Sequence, residues 1–135
     1  MAQHIGDPQL ADDVFFDRLE EYLPRYGYQN YRFWEYLTFG CHAKCSFCYN
    51  RLPFEGSPTI TQRSPERVLQ WMRAGQRLGK TYFEFSEPNF LSDRPFAIEF
   101  LKRLKRENPG VTWRCKTRLD DIDSATYDQM TEAGC

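Results

Sequence analysis

Three of the five cysteines in the chain lie close together, in the segment FGCHAKCSFCYN. Cys41, Cys45 and Cys48 are separated first by three and then by two residues. Thiolates bind soft metal ions and iron–sulfur clusters, and a short loop can direct several of them at one metal centre. The spacing therefore predicts a metal site whose protein ligands are these three cysteines.

The sequence offers no obvious fourth ligand. Structural zinc sites usually have four ligands, often arranged as two separated pairs, whereas Cys115 and Cys135 each stand alone. His42 is adjacent to Cys41, and neighbouring residues rarely bind one tetrahedral metal ion without strain. The pattern favours a metal centre with an open coordination position, which an exogenous molecule can occupy. A zinc module that supports folding or partner binding is the alternative.

The elements that must position this loop alternate between strands and helices. A short aromatic strand is predicted at residues 32–39, directly before Gly40 and the cysteines. Two further strands are predicted within TYFEFSEPNF and VTWRCKT. Helices are predicted within SPERVLQWMRAGQRLG, DRPFAIEFLKRLKREN and DSATYDQMTEAG, because each combines an apolar face with terminal capping signals. Ser64 is the predicted N-cap of the first helix, and Asp123 or Ser124 that of the third.

The order of these elements predicts an α/β fold. Strands joined by helical crossovers form a parallel sheet with right-handed connections. Residues 1–30 are interpreted as an acidic lead-in or linker and residues 31–135 as the folded domain. Functional residues gather on loops at the carboxyl ends of parallel strands. Since the cysteine segment, SEPNF and TRLDD all follow strands, we expect them to share one site.

Composition points to no particular macromolecular partner. The chain has 135 residues and a net charge of −1, with 18 Lys or Arg against 19 Asp or Glu. This balance argues against general nucleic-acid binding. The sequence contains neither a long apolar run nor a secretory signal pattern, so we expect no membrane span and no export. An odd number of cysteines argues against a disulfide framework and favours the cytoplasm.

The cysteine spacing resembles the cluster loop of the radical S-adenosylmethionine (SAM) superfamily, in which an aromatic residue usually precedes the third cysteine. Phe47 occupies that position. The resemblance implies that Cys41, Cys45 and Cys48 bind three irons of a [4Fe-4S] cluster and that SAM chelates the fourth. Phe47 would lie beside the adenine of SAM. Reductive cleavage of SAM would give methionine and a 5′-deoxyadenosyl radical that abstracts hydrogen from a substrate.

Two downstream segments are similar to the cobalamin-associated branch of that superfamily. In FEFSEPNF, Glu87 is expected to accept a hydrogen bond from the SAM ammonium group, and Asn89 is a second candidate for the same pocket. WRCKTRLDDID…YDQMTEAGC looks like the branch's third strand and helix. Arg118 would pair with the SAM carboxylate or another anion. The alternative for Arg118 is a surface ion pair with Asp120 or Asp121.

The family core is a TIM-like parallel barrel of six strand–helix units, and this chain supplies about three of them. The resemblance therefore implies the N-terminal half of such a core. It does not extend to cobalamin binding, because no Asp-x-His-x-x-Gly motif occurs and the acidic lead-in is too short for a cobalamin-binding domain. Two alternatives to an active enzyme stay open: an inactive remnant, and a subunit that needs a second chain or a missing C-terminal half.

The resemblance also implies two kinds of partner. One is a substrate, small or otherwise unidentified, and the other is a reductant of flavodoxin or ferredoxin type. Neither nucleic acid nor membrane is expected. No substrate-specific catalytic residue can be assigned. The sequence does not distinguish among methyl transfer, ring formation, sulfur insertion and other hydrogen-abstraction chemistry.

Overall fold

A computed structural model describes residues 33–48, 60–107 and 110–135 of the chain. The predicted lead-in at residues 1–30 lies outside these ranges. The strands are β1 (Phe33–Glu35), β2 (Thr38–Phe39), β3 (Thr61–Gln62), β4 (Tyr82–Phe85) and β5 (Thr112–Arg114). The helices are α1 (Pro65–Arg77), α2 (Arg94–Glu107) and α3 (Ser124–Glu132), and a 3₁₀ turn spans Leu119–Asp121.

Three strands form a parallel sheet in the order β1-β4-β5. Phe83, at the centre, is in register with Phe33 on one side and Trp113 on the other. The crossover from β1 to β4 contains α1, and that from β4 to β5 contains α2. The α/β class and the parallel sheet are thus confirmed, whereas membership of a larger barrel stays a prediction.

The prediction of one continuous strand at residues 32–39 is wrong. β1 ends at Glu35, and Thr38–Phe39 pairs antiparallel with Thr61–Gln62 in a separate ribbon. Arg63 explains the break, because it donates its backbone N–H to the carbonyl of Leu37 at 2.9 Å and pairs with the Glu35 carboxylate at 2.9 Å. These contacts draw the chain away from the sheet after β1. The residues just before the first helix, where no strand was predicted, therefore contain β3.

The three helices begin close to the predicted residues. Pro65 opens α1 with Ser64 at the N-cap position, but the Ser64 hydroxyl donates to Glu66 instead of accepting from the helix backbone. At α3, the Asp123 side chain accepts from the backbone N–H of Thr126 at 2.8 Å. That bond satisfies one of the otherwise unpaired donors at the helix start.

The core lies between the sheet and the helices. Phe85 is fully buried at its centre, with edge-to-face contacts to Phe100 and Trp113 at centroid distances of 5.6 and 5.3 Å. Burying a side chain of this kind contributes about 2–3 kcal/mol relative to exposing it. This packing fixes the strand ends from which the loops depart. No helix in the described ranges is long and apolar enough to span a membrane.

Candidate functional site

Three loops meet at the carboxyl edge of the sheet. We call them the cysteine loop (residues 40–48), the β4 loop (residues 86–93) and the β5 loop (residues 115–123). The β4 and β5 loops continue side by side, since the Phe90 N–H donates to the Lys116 carbonyl at 2.8 Å. The cysteine loop reaches the β4 loop through His42, whose Nδ1 lies 3.3 Å from the Ser92 carbonyl. The predicted convergence of these loops is therefore present in the structure.

Two backbone features shape the cysteine loop. Gly40, with φ of 97°, turns the chain out of β2 in a conformation that residues with a Cβ rarely adopt. The Cys48 N–H then donates to the Cys45 carbonyl at 3.2 Å, which closes a turn with one cysteine at each end. Cys41, Cys45 and Cys48 all carry free, partly buried thiols. One short loop thus presents all three.

The three thiols do not form a preassembled metal-binding site. Within the part of the chain that the structure describes, no three Cys, His, Asp or Glu side chains come close enough to form a metal-binding set. Binding a metal centre through all three thiols would therefore require the loop to adjust around it.

Arg118, on the β5 loop, reaches across to the cysteine loop. Its Nη1 donates to the Cys45 sulfur at 2.9 Å, and its Nη2 donates to the Asp120 carboxylate. The Asp120 contact raises the pKa of Arg118 and lowers the pKa of Asp120. The ion pair that sequence reasoning offered as an alternative is therefore present, together with a contact that it did not foresee.

A cleft of about 410 Å³ opens beside this contact. Cys45 and Arg118 lie in its wall. The remaining lining residues are His42, Ala43, Lys44, Asp120 and Asp121. Both cationic and anionic groups face this space, which suits a zwitterionic or mixed-charge ligand.

Asn89 is hydrogen-bonded to both the β4 loop and the β5 loop. Its Oδ1 accepts from the Thr117 hydroxyl at 2.9 Å and from the backbone N–H groups of Leu91 and Arg118 at 3.3 and 3.4 Å. Its Nδ2 donates to the Asp121 carboxylate at 2.8 Å. Because the side chain is fully buried, the structure places Asn89 as a clamp between the loops instead of in the cleft wall.

Asp121 extends this network to the cysteine loop. Its second carboxylate oxygen, Oδ1, lies 3.6 Å from His42 Nε2. The sequence offered His42 only as an unlikely fourth metal ligand and did not connect it with Asp121. The sequence signal for this contact was the position of both residues on loops that were predicted to follow parallel strands.

Glu87 follows β4 and is fully buried. Neither of its carboxylate oxygens has a partner in hydrogen-bonding geometry. Burial raises the pKa of Glu87 to about 7, and the nearby backbone groups of Glu87 and Leu37 offset that rise only in part. The structure does not bring Glu87 to the wall of the cleft. It is instead a covered carboxyl group beside the predicted site.

Phe47 lies in the turn between Cys45 and Cys48, and 91% of its surface is exposed. Its ring is therefore available to a ligand or partner. The structure thus brings Cys45, Arg118 and the Asn89 clamp together, while Phe47 and Glu87 lie apart from that contact.

The radical SAM superfamily model matches residues 36–135. The chain belongs to the radical SAM superfamily. It is similar to an uncharacterized methyltransferase from Pyrococcus horikoshii, with 27% identity over 97 residues. That match covers 71% of this chain and 21% of the relative, so the chain spans about a fifth of the relative's length. No solved structure gives a significant match.

Superfamily membership identifies the chain as part of an enzyme family that uses a [4Fe-4S] cluster and SAM, generally with a small-molecule substrate and a reductant. The donor set fits such a cluster, because three free and partly accessible thiols lie on one loop. The cleft beside Cys45 offers room for a small molecule.

Proposed function

We propose that the chain supplies the cofactor-binding part of a radical SAM enzyme, in which Cys41, Cys45 and Cys48 hold a [4Fe-4S] cluster. When bound, the cluster supplies the electron for reductive cleavage of SAM to methionine and a 5′-deoxyadenosyl radical. The observation that carries the proposal is the presentation of three free thiols by one loop that contacts the loops after the parallel strands β4 and β5. Ligand-binding loops gather at the carboxyl ends of parallel strands in α/β folds.

The residues around the cysteine loop are proposed to bind SAM. Arg118 lines the cleft and provides a positive charge for the SAM carboxylate. Phe47 exposes an aromatic face on which adenine can stack. Glu87 would accept a hydrogen bond from the ammonium group, which its unpaired oxygens support. Since Glu87 is covered, this role requires the surrounding loops to open as SAM enters.

Asn89 is proposed to act in the same pocket through the loops that it joins. Its oxygen holds the Arg118 backbone and the Thr117 hydroxyl, and its nitrogen holds Asp121. In this way it fixes the position of the β5 loop beside Cys45. Its buried amide groups are already occupied, so positioning is a better role for it than direct ligand contact.

The wider architecture and the reaction class belong to the same proposal. We propose that the three strand–helix units form the N-terminal half of a six-unit, TIM-like core in residues 31–135. The similarity to the cobalamin-associated branch and to a relative named a methyltransferase supports methyl transfer as the first reaction to assay. An external reductant of flavodoxin or ferredoxin type would supply the electron.

Anaerobic reconstitution with iron and sulfide tests the proposed cluster. We expect about four irons and four sulfides per chain, the content of the cluster type. Cys45→Ala should lose most of the bound iron, whereas the matched variant Cys135→Ser, outside the cysteine loop, should retain it. Addition of SAM and dithionite should then release methionine and 5′-deoxyadenosine.

Zinc bound in place of iron, in a protein that loses its fold on treatment with a chelator, would contradict the proposal and favour a structural module. If the isolated chain binds a full cluster but releases no 5′-deoxyadenosine, it binds the cluster without cleaving SAM. In that case cleavage would require a second chain or further segment.

A further inference from the structure

We propose that Arg118 tunes the reduction potential of the cluster through its hydrogen bond to the Cys45 sulfur. The inference rests on the proposed function, because it concerns the cluster that the three cysteines would hold. It gives Arg118 a role toward a protein ligand of the cluster, in addition to any contact with the SAM carboxylate. It also singles out Cys45 among the three ligands.

The contact itself is direct. Arg118 Nη1 lies 2.9 Å from Cys45 Sγ, a short separation for an N–H donor and a sulfur acceptor. The partners are on different loops, 73 residues apart in the sequence. Among the described residues, Cys45 is the one cysteine of the loop for which a side-chain hydrogen bond of this kind is present. The contact therefore distinguishes one ligand from the other two.

Two neighbours hold Arg118 in this position. Asp120 accepts from Nη2, on the other arm of the guanidinium group. Asn89 Oδ1 accepts from the Arg118 backbone N–H at 3.4 Å and from the Thr117 hydroxyl at 2.9 Å. The side chain of Arg118 is 36% exposed and that of Asn89 is buried, so the arginine is anchored from the protein interior while its tip faces the cleft.

The physical effect has a definite direction. Reduction adds one electron, and hence one negative charge, to the cluster and its thiolates; no covalent bond forms or breaks. A positively charged N–H donor at a ligand sulfur stabilises the more negative, reduced form. Hydrogen bonds to cluster sulfurs are among the determinants of the reduction potential. Arg118 should therefore raise the potential and make the cluster easier to reduce.

Redox titration of the reconstituted chain tests this effect. The midpoint potential is measured by electron paramagnetic resonance with dithionite as reductant and without SAM, so that ligand binding does not contribute. We expect Arg118→Gln to have a more negative midpoint potential than the unmodified chain. Arg118→Lys, which keeps the charge but not the planar fork, should show a smaller shift in the same direction.

The matched control is Arg114→Gln. Arg114 is the last residue of β5, does not line the cleft, and pairs with Glu84 at 2.6 Å. The substitution removes the same charge, so it reports the effect of net charge alone. A shift in Arg118→Gln that exceeds the shift in Arg114→Gln supports the proposal. Equal potentials in all four proteins, or equal shifts in the two glutamine variants, would overturn it.

Iron analysis separates this inference from the proposed function. If the unmodified chain binds no cluster, both proposals fail. If it binds four irons and its potential is indifferent to Arg118, only the inference fails. If Arg118→Gln folds but does not retain iron, the comparison is made with Arg118→Lys, whose potential must then be lower than that of the unmodified chain.

Discussion

Glu87 and Asn89 lie two residues apart on the β4 loop, and both side chains are fully buried. Their hydrogen bonding differs completely. Asn89 makes four hydrogen bonds, three through its oxygen and one through its nitrogen. Both oxygens of Glu87 lack a partner in hydrogen-bonding geometry. A buried polar group without a partner costs about 1–3 kcal/mol, and more when it is charged.

The difference separates a side chain that holds the loops together from one that we propose to bind the ligand. Asn89 satisfies groups of the β4 and β5 loops, and through Asp121 it reaches His42 on the cysteine loop. Its bonds contribute to folding whether or not a ligand is present. Glu87 contributes no such bond and retains a destabilising carboxyl group. Under the proposed function, the ammonium group of SAM would be the cationic partner of this carboxyl group.

Asn89→Ala should give the largest loss of stability. The substitution leaves the Thr117 hydroxyl and the buried N–H of Leu91 without their partner, which should cost about 3 kcal/mol. Urea denaturation measures the change in the free energy of unfolding. Gln62→Ala is the control, since it removes an amide from an exposed hydrogen bond to Asp93. A loss no greater than that of the control would contradict the role of Asn89 as a clamp.

The stability of the chain should depend on pH through Glu87. Its pKa is about 7 in the folded protein and 4.5 in the reference state. Between these values the unfolded chain is ionised while the folded chain stays protonated, so the contribution of Glu87 falls as the pH rises. The loss between pH 5 and pH 8 should be about 2 kcal/mol.

Comparison with Glu87→Gln isolates that contribution, because glutamine has the same shape and does not ionise. Urea denaturation at both pH values should show the fall in the unmodified chain and not in Glu87→Gln. Glu99→Gln changes an exposed carboxylate and should behave like the unmodified chain. If all three proteins lose the same stability, Glu87 does not carry the proposed charge penalty.

SAM should bind more weakly when Glu87 is replaced. In the reconstituted chain, Glu87→Gln should weaken SAM binding by about tenfold or more, because a neutral amide replaces a carboxylate opposite an ammonium group. Equilibrium dialysis against labelled SAM measures the affinity, and iron content shows whether the cluster is intact. An unchanged affinity with a full cluster would exclude Glu87 as the ammonium partner.

His42→Ala should have the smallest effect of these substitutions. The distance of 3.6 Å between His42 and Asp121, together with the exposure of the imidazole, limits the contact to less than about 1 kcal/mol. The free energy of unfolding at pH 6 measures it. A loss as large as that of Asn89→Ala would contradict this, because the His42 contact would then stabilise the fold as much as the hydrogen bonds of Asn89 do.

Local signals were sufficient to predict the helices. Pro65 marks the start of α1, and Asp123 caps α3 through a bond to the Thr126 backbone. The break after β1 was not predictable in this way. It depends on contacts of Arg63 with Glu35 and Leu37, which lie more than twenty residues upstream. Aromatic residues with high strand propensity predict an extended chain but not its pairing partner.

The site was predictable only as a meeting of loops. Because parallel strands end at one edge, the cysteines, Glu87 and Arg118 were expected near one another, and the contact between Cys45 and Arg118 is present. The sequence predicted Glu87 as the ammonium partner and Asn89 as a second candidate for the same pocket, but it could not predict that Asn89 would be hydrogen-bonded within the protein. Their difference arises from packing, which gives one side chain four partners and leaves the other with none in hydrogen-bonding geometry.

The electron paramagnetic resonance spectrum of the reduced, reconstituted chain, recorded with and without SAM, tests the central claim most directly. We predict the signal of a reduced [4Fe-4S] cluster, and a change in that signal when SAM binds at the iron that has no cysteine ligand. The change should be weaker in Glu87→Gln at the same SAM concentration. A cluster signal that SAM leaves unaltered would contradict the account, since the three cysteines would then hold a cluster without the cofactor site assigned beside it.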